Sequence, residues 1–171
     1  MAELCDIYNI KGDRSGDVFM RGENLKEGEF QLVTSIWILN ENLQILIQKR
    51  SKAKIISPDI WATHGGCVSS GETSLYACVR EAYEEIGIVI NPKYIKSLTR
   101  ITSNKLIMDS YIVIQEFNTS TAVLQIEEVS GLQWVSLNKL EHMVKNQNFF
   151  NYQELPYVIN FINNLKTNRG L

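Results

Sequence analysis

Residues 65–90 read GGCVSSGETSLYACVREAYEEIGIVI, and the rest of the chain is best read outward from them. Helical spacing runs from about Thr73 to Ile86. Gly87 is a natural stop, because glycine accepts the left-handed conformation that ends helices. At 100° per residue from Leu75, Cys78, Val79, Ala82 and Ile86 fall at about 300°, 40°, 340° and 20°, which makes one apolar stripe. Glu81, Glu84 and Glu85 fall at about 240°, 180° and 280°, so three carboxylates share a face. Like charges at i+3 and i+4 destabilise an isolated helix by roughly a few tenths of a kcal/mol per pair and raise one another's pKa. A hard divalent cation such as Mg²⁺ reverses both effects, since it prefers oxygen ligands. Ser74 and Ala77 fall on the same face and leave room for a ligand. A solvated acidic face, with Arg80 paired to Glu84 at i+4, accounts for the helix alone equally well.

The flanks weigh against that plainer account. Gly65-Gly66 precede the helix and Gly71-Glu72 stand at its entry. Without a Cβ, a glycine lets backbone polar groups approach a metal or phosphate closely. The pattern is Gly66, five residues, Glu72, seven residues, then Arg80-Glu81-Ala82-Tyr83-Glu84-Glu85-Ile86-Gly87-Ile88. It resembles the Nudix box, with Ala82 where the family usually has a larger aliphatic residue. The resemblance extends over roughly residues 30–147. It implies hydrolysis of a diphosphate linkage in a nucleoside diphosphate derivative or similar small molecule, on an α/β/α sandwich with Mg²⁺ or Mn²⁺. Glu81, Glu84 and Glu85 would be the metal-binding acids, with Gly66 and Glu72 as further contributors. Arg80 would orient the carboxylates by charge-assisted hydrogen bonds. Glu81 is the first candidate for general base, and Glu127 or Glu128 in a later loop the second.

The flanking pattern gives an α+β class with a mixed sheet. Residues 5–10 and 17–21 read as a small N-terminal β-hairpin around turn-rich 11–16. Residues 30–39 and 43–49 read as strands joined by a turn at Glu41-Asn42. Residues 93–103 and 106–117 form a second pair, and 131–135 a further strand. Helical spacing covers 137–146 and 152–165. The chain is thus expected to be one domain, 1–171, with an N-terminal extension (1–29), a core (30–147) and a C-terminal helix (148–171). That last helix, with Tyr152, Tyr157, Phe161 and Leu165 on one side, would pack on the domain or on the second copy of a homodimer.

Residues 5–50 also resemble the Nudix subgroup related to isopentenyl-diphosphate isomerase, through Asp6-Ile7-Tyr8, Arg21-Gly22-Glu23, Glu29 and Ile45-Leu46-Ile47-Gln48-Lys49-Arg50. That enzyme uses a cysteine, a later glutamate and a histidine-rich metal site. Here the isomerase cysteine falls at Gly65 or Gly66 rather than at Cys67. Asp109 and Ser110 stand around the expected glutamate, and His64 and His142 are the only two histidines. A non-catalytic nucleotide sensor is a further alternative, but such domains commonly lose box glutamates, and this chain keeps them all. Lys49, Arg50 and His64 are candidate substrate contacts, set against a solvated strand end and a plain loop residue. Trp37 and Trp134 fit core positions and Cys67 a small loop residue.

Composition sets the bounds. The chain has 171 residues, 17 Lys+Arg against 19 Asp+Glu and a formal charge of -2, which gives no electrostatic footprint for nucleic acid. No apolar run is long enough to cross a membrane as a helix. Three cysteines with no signal-peptide pattern read as reduced thiols in a cytoplasmic chain.

Overall fold

Strand β3 (Phe30–Leu39) is the one on which the sheet is built. Ile36 and Ile38 point to one face and Trp37 and Leu39 to the other, and all four are completely buried. A run apolar on both faces belongs in the middle of a sheet with helices on each side. In a computed structural model that describes residues 3–170, that is its place.

One edge of β3 pairs in parallel with β8 (Leu106–Ile114), from Gln31↔Leu106 to Leu39↔Ile114. A parallel pair needs a crossover, and the crossover carries helix α1 (Ser74–Ile86). The other edge is shared by three strands. β1 (Leu4–Tyr8) pairs at its start, β6 (His64–Cys67) in its middle, and β4 (Ile45–Arg50) only at Leu39↔Ile45. β4 therefore splays away from β3, and β6 with β5 (Trp61–Ala62) fills the gap. β2 (Arg14–Met20) closes the N-terminal hairpin on β1, β7 (Lys96–Ser103) pairs with β8, and β9 (Val129–Val135) pairs with β4.

Two apolar layers result. Ile36, Ile38, Leu46 and Val113 pack on Cys78, Ala82 and Ile86 of α1. On the opposite face Trp37, Leu39, Ile45, Ile47 and Ile112 pack on Leu140 and Met143 of α2 (Leu137–Lys145) and on Val158 and Ile162 of α3 (Leu155–Arg169). The α/β/α sandwich expected from the sequence is thus formed.

The structure departs from the sequence reading at three places. His64-Gly65-Gly66-Cys67 is a strand, not a loop, because pairing with β3 outweighs the weak strand preference of two glycines. The last helix begins at Leu155, and its buried line is Leu155, Val158 and Ile162, so Tyr157 lies exposed. It packs on its own sheet. Finally, α1 is turned by about 60° from the stripe centred on Leu75. Ser74, Ala77, Cys78, Ala82, Glu85 and Ile86 are its buried residues, while Leu75 and Val79 are only partly covered. Ser74 and Ala77 therefore face the sheet and leave no ligand space. Ser74 Oγ donates to Asp109 Oδ2 at 2.5 Å, and Arg100 grips the same carboxylate at 2.6 and 2.8 Å. Small side chains let this helix sit close to the sheet.

Gly65 lets β6 lie against β3. Its φ is +147°, and a Cβ there would lie 2.1 Å from the Thr34 carbonyl oxygen and 2.8 Å from Ser35 Cα. Gly65→Ala should destabilise the fold by about 2–3 kcal/mol or more, since backbone rather than a flexible side chain must yield. Urea unfolding followed by circular dichroism measures this, and an unchanged midpoint would contradict the packing described.

Candidate active site

Thr73 caps α1 by accepting from the Tyr76 N–H at 3.2 Å, and Gly87 ends it at φ +75°. Ahead of the cap the chain folds on itself. The Ser69 N–H donates to Glu72 Oε2 and the Glu72 N–H to the Ser69 carbonyl, both at 3.0 Å. This turn sets Glu72 against Arg80.

Arg80 is the hub. Its Nε and Nη2 donate to the two oxygens of Glu72 at 2.8 and 3.0 Å. Its Nη1 donates to Glu81 Oε1 at 3.0 Å and Glu84 Oε2 at 2.9 Å, and Nη2 also reaches the Cys67 carbonyl at 3.1 Å. Burial would raise the Glu72 carboxyl, but the Arg80 fork and the Ser69 N–H hold it below its usual value. Arg80 itself is raised despite burial, because Glu72, Glu81 and Glu84 surround it.

The three helix glutamates stand in different surroundings. Glu84 is half exposed. Glu81 leans over Gly66, where a Cβ would lie 2.5 Å from the carboxyl carbon. Burial pushes Glu81 up to about 7, with Glu85 and Glu84 adding to the rise against the pull of Arg80. Glu85 is 5% exposed and points into the sheet. Its Oε1 accepts from Gln48 Nε2 at 2.8 Å, and its Oε2 faces the Gly65 N–H at 3.4 Å and His64 Nδ1 at 3.5 Å. The three carboxylates that share a helix face in the sequence therefore stand apart here, with Glu84 toward solvent and Glu85 toward the sheet. Among the described residues no three Asp, Glu, His or Cys side chains stand close enough, as placed, to share one ion. Arg80 draws Glu81 and Glu84 to itself, and Gln48 draws Glu85 inward.

The residues still fit a divalent cation by their chemistry. Three carboxylates, those of Glu72, Glu81 and Glu84, gather around one guanidinium with Glu85 on the adjoining turn, all donors are hard oxygens, and the glycine beneath Glu81 leaves room for its carboxylate. Burial first, and then the charges of Glu85 and Glu84, disfavour the Glu81 carboxylate, and a bound cation would offset both.

Other candidates lie around this centre. His64 is fully buried on β6, so it is neither a loop residue nor open to a substrate. Lys49 pairs with Asp59 at 2.8 Å, and Arg50 donates to the carbonyls of Ile56 and Ser57, so both brace the loop 51–60. Glu128 is paired with Lys54 of that loop, and Glu127 is exposed. The segment bearing them docks on the end of α1 through Gln125 N–H to the Glu85 carbonyl at 3.0 Å. Cys67 is buried, accepts from Gln31 Nε2 at 3.1 Å, and burial pushes its thiol up to about 12.

Sequence reasoning missed Gln48, Asp6 and Arg14. The alternation of β4 placed Gln48 beside Ile47 without showing which face was lined by α1. Asp6 accepts from Ser70 Oγ at 2.6 Å and the Gly71 N–H at 3.0 Å, and Arg14 donates to the Glu72 carbonyl while pairing with Asp6 at 3.0 Å. Contacts between segments this far apart carry no local signal.

Comparison with known proteins agrees with this geometry. The NUDIX domain family model matches residues 29–157. An uncharacterised Nudix hydrolase of Listeria monocytogenes is 33% identical over 162 residues, 94% of this chain and 96% of the relative. An isopentenyl-diphosphate Delta-isomerase of Salmonella heidelberg is 33% identical over 110 residues, 60% of each chain. Among solved structures, a Deinococcus radiodurans protein superposes with a TM-score of 0.76 at 22% identity, over 92% of this chain and 98% of that one.

The Glu81 environment has a pH consequence. Its folded pKa lies above the ordinary 4.5, so its contribution to stability is full below about 4.5 and is lost as pH rises through about 7. With divalent metal chelated, the chain should lose up to about 3 kcal/mol from this residue between pH 5 and pH 8. Glu81→Gln should flatten that part of the profile. Urea midpoints across the range provide the measurement, and parallel profiles would refute the assignment.

Proposed function

The chain belongs to the Nudix family and is a hydrolase of diphosphate bonds, and on that premise we propose that Glu81, Glu84 and Glu85 are its metal-binding acids, with Mg²⁺ or Mn²⁺ as the ion. The observation that carries the reading is the Arg80 hub, which holds Glu72, Glu81 and Glu84 beside the glycine of β6. The Gly66 carbonyl and Glu72 are further contributors. When bound, the cation would polarise phosphoryl oxygens and make water a better nucleophile.

The chain's own residues do the rest. Arg80 keeps the carboxylates oriented and limits their mutual repulsion. Glu81, behind Gly66, is the first choice to take the proton from the attacking water. Glu127 is the second, since the carboxylate of Glu128 is committed to Lys54. Lys49 and Arg50 would serve the substrate by fixing the loop 51–60, with release from Asp59 letting Lys49 meet a phosphate. We read the substrate as a nucleoside diphosphate derivative or similar small molecule. The whole chain acts as one unit, since β1 joins the sheet through Ile7↔Gln31 and α3 completes the second apolar layer.

The isomerase reading lacks its parts. Gly65 or Gly66 stands where that enzyme's cysteine is expected, the Cys67 thiol is buried, and Ser110 accepts from Ser35 in a buried contact at 2.9 Å.

Two substitutions test the proposal in a screen of nucleoside diphosphate derivatives with Mg²⁺, read as phosphate released after a coupled phosphatase. Glu84→Gln should lower turnover about 100-fold or more while the fold survives, because the residue is exposed and repulsion is relieved. Cys67→Ser should leave hydrolysis largely intact. Equal activity in Glu84→Gln removes its assigned role. Isomerisation of isopentenyl diphosphate that is abolished by Cys67→Ser, with no hydrolysis of any diphosphate, overturns the proposal.

A further inference from the structure

Buried polar side-chain atoms nearly always find a hydrogen-bond partner. Among the described residues four such atoms have none: Trp37 Nε1, Gln48 Oε1 and both ring nitrogens of His64. Three of the four belong to the two residues that flank the Glu85 carboxylate, Gln48 and His64. Gln48 lies on β4, which splays away from β3, and His64 on β6, which fills the gap between them. Both side chains are buried, and neither belongs to the charged pattern that identifies the site.

The arrangement divides the labour of the Glu85 carboxylate. Oε1 is committed to Gln48 Nε2 at 2.8 Å, and that amide is itself held by the Thr63 carbonyl at 3.3 Å. Oε2 is held more loosely, by the Gly65 N–H at 3.4 Å and beside His64 Nδ1 at 3.5 Å. One oxygen is therefore anchored, and the other stays adjustable beside the Gly65-Gly66 backbone. Buried and half-satisfied polar groups cost stability, so a fold that keeps two of them against one carboxylate gains something other than stability.

We propose that Gln48 and His64 are positioning residues for Glu85, fixing its carboxylate beside Gly65-Gly66 so that it serves as a metal ligand. This rests on the metal-dependent reading above. It gives His64 a role that its complete burial allows, in place of substrate contact. Partners that orient a ligand are typically worth about 10- to 100-fold in metal affinity.

The test uses Mn²⁺ alone as probe, with the free aqua ion counted by electron paramagnetic resonance in titrations of the full chain. His64→Leu and Gln48→Met should each weaken Mn²⁺ binding by about 10- to 100-fold. His64→Asn, which keeps a donor, should stay within about threefold of wild type. In a Glu85→Gln background His64→Leu should cause no further loss, a result that a general packing defect would not give. The metal-free unfolding midpoint of His64→Leu should not fall, since two orphaned polar atoms are removed. If Gln48→Met fails to fold, the His64 pair and the Glu85→Gln background carry the test. Wild-type affinity in His64→Leu, equal losses in His64→Leu and His64→Asn, or an undiminished loss in the Glu85→Gln background each overturns the proposal alone. A wild-type chain that binds no Mn²⁺ overturns the metal-dependent reading, and this proposal with it.

Discussion

One guanidinium holds the centre of this protein together. Arg80 reaches Glu72 in the turn, Glu81 and Glu84 on the helix, and the carbonyl of Cys67 at the end of β6. Three segments that could otherwise drift apart are tied by one planar fork. The match is geometric as well as electrostatic, because a guanidinium presents donors in fixed directions that a lysine ammonium lacks. Without it, carboxylates at i+3 and i+4 would repel within a partly buried site, where water screens them poorly. The helix can carry so much negative charge on its inner side only because this cation is fixed there.

That arrangement depends in turn on what is missing from the strand beneath. The Gly65-Gly66 pair removes the Cβ atoms that would collide with the Thr34 backbone and the Glu81 carboxylate. Ser74, Ala77 and Ala82 keep the buried side of the helix slim. Close approach then rotates the buried arc of α1 toward the glutamates, so that Glu85 becomes a core residue with polar partners. Acidity and burial coexist along one helix because small residues make up most of the side that faces the sheet.

Much of this was legible in the sequence. The β-forming residues of 30–39, the helical spacing that starts at about Thr73 and the stop at Gly87 are local signals, and local signals fix elements. The charged pattern from Gly66 to Ile88 is specific enough to reveal the family. What the sequence hid was set by tertiary contact. The strand at 64–67 exists because β3 offers it a ladder. The turn of α1 about its axis follows from packing distance, which a helical wheel ignores. Gln48 was invisible because a polar residue on an apolar strand has no distinctive spacing.

The hairpin at the start of the chain lies outside the segment that matches the family model, which begins at residue 29. Yet Asp6 and Arg14 grip the turn at Ser70, Gly71 and Glu72. At the other end the match stops at Tyr157, within the first turn of α3, before the Val158 and Ile162 side chains that fill the second layer. A protein trimmed to the shared segment would therefore retain all the acidic residues of the box while losing the clamp on its entry turn and part of its floor. The homologous boundary is not the mechanical boundary, and expression of the domain should begin at the first strand and run through the last helix.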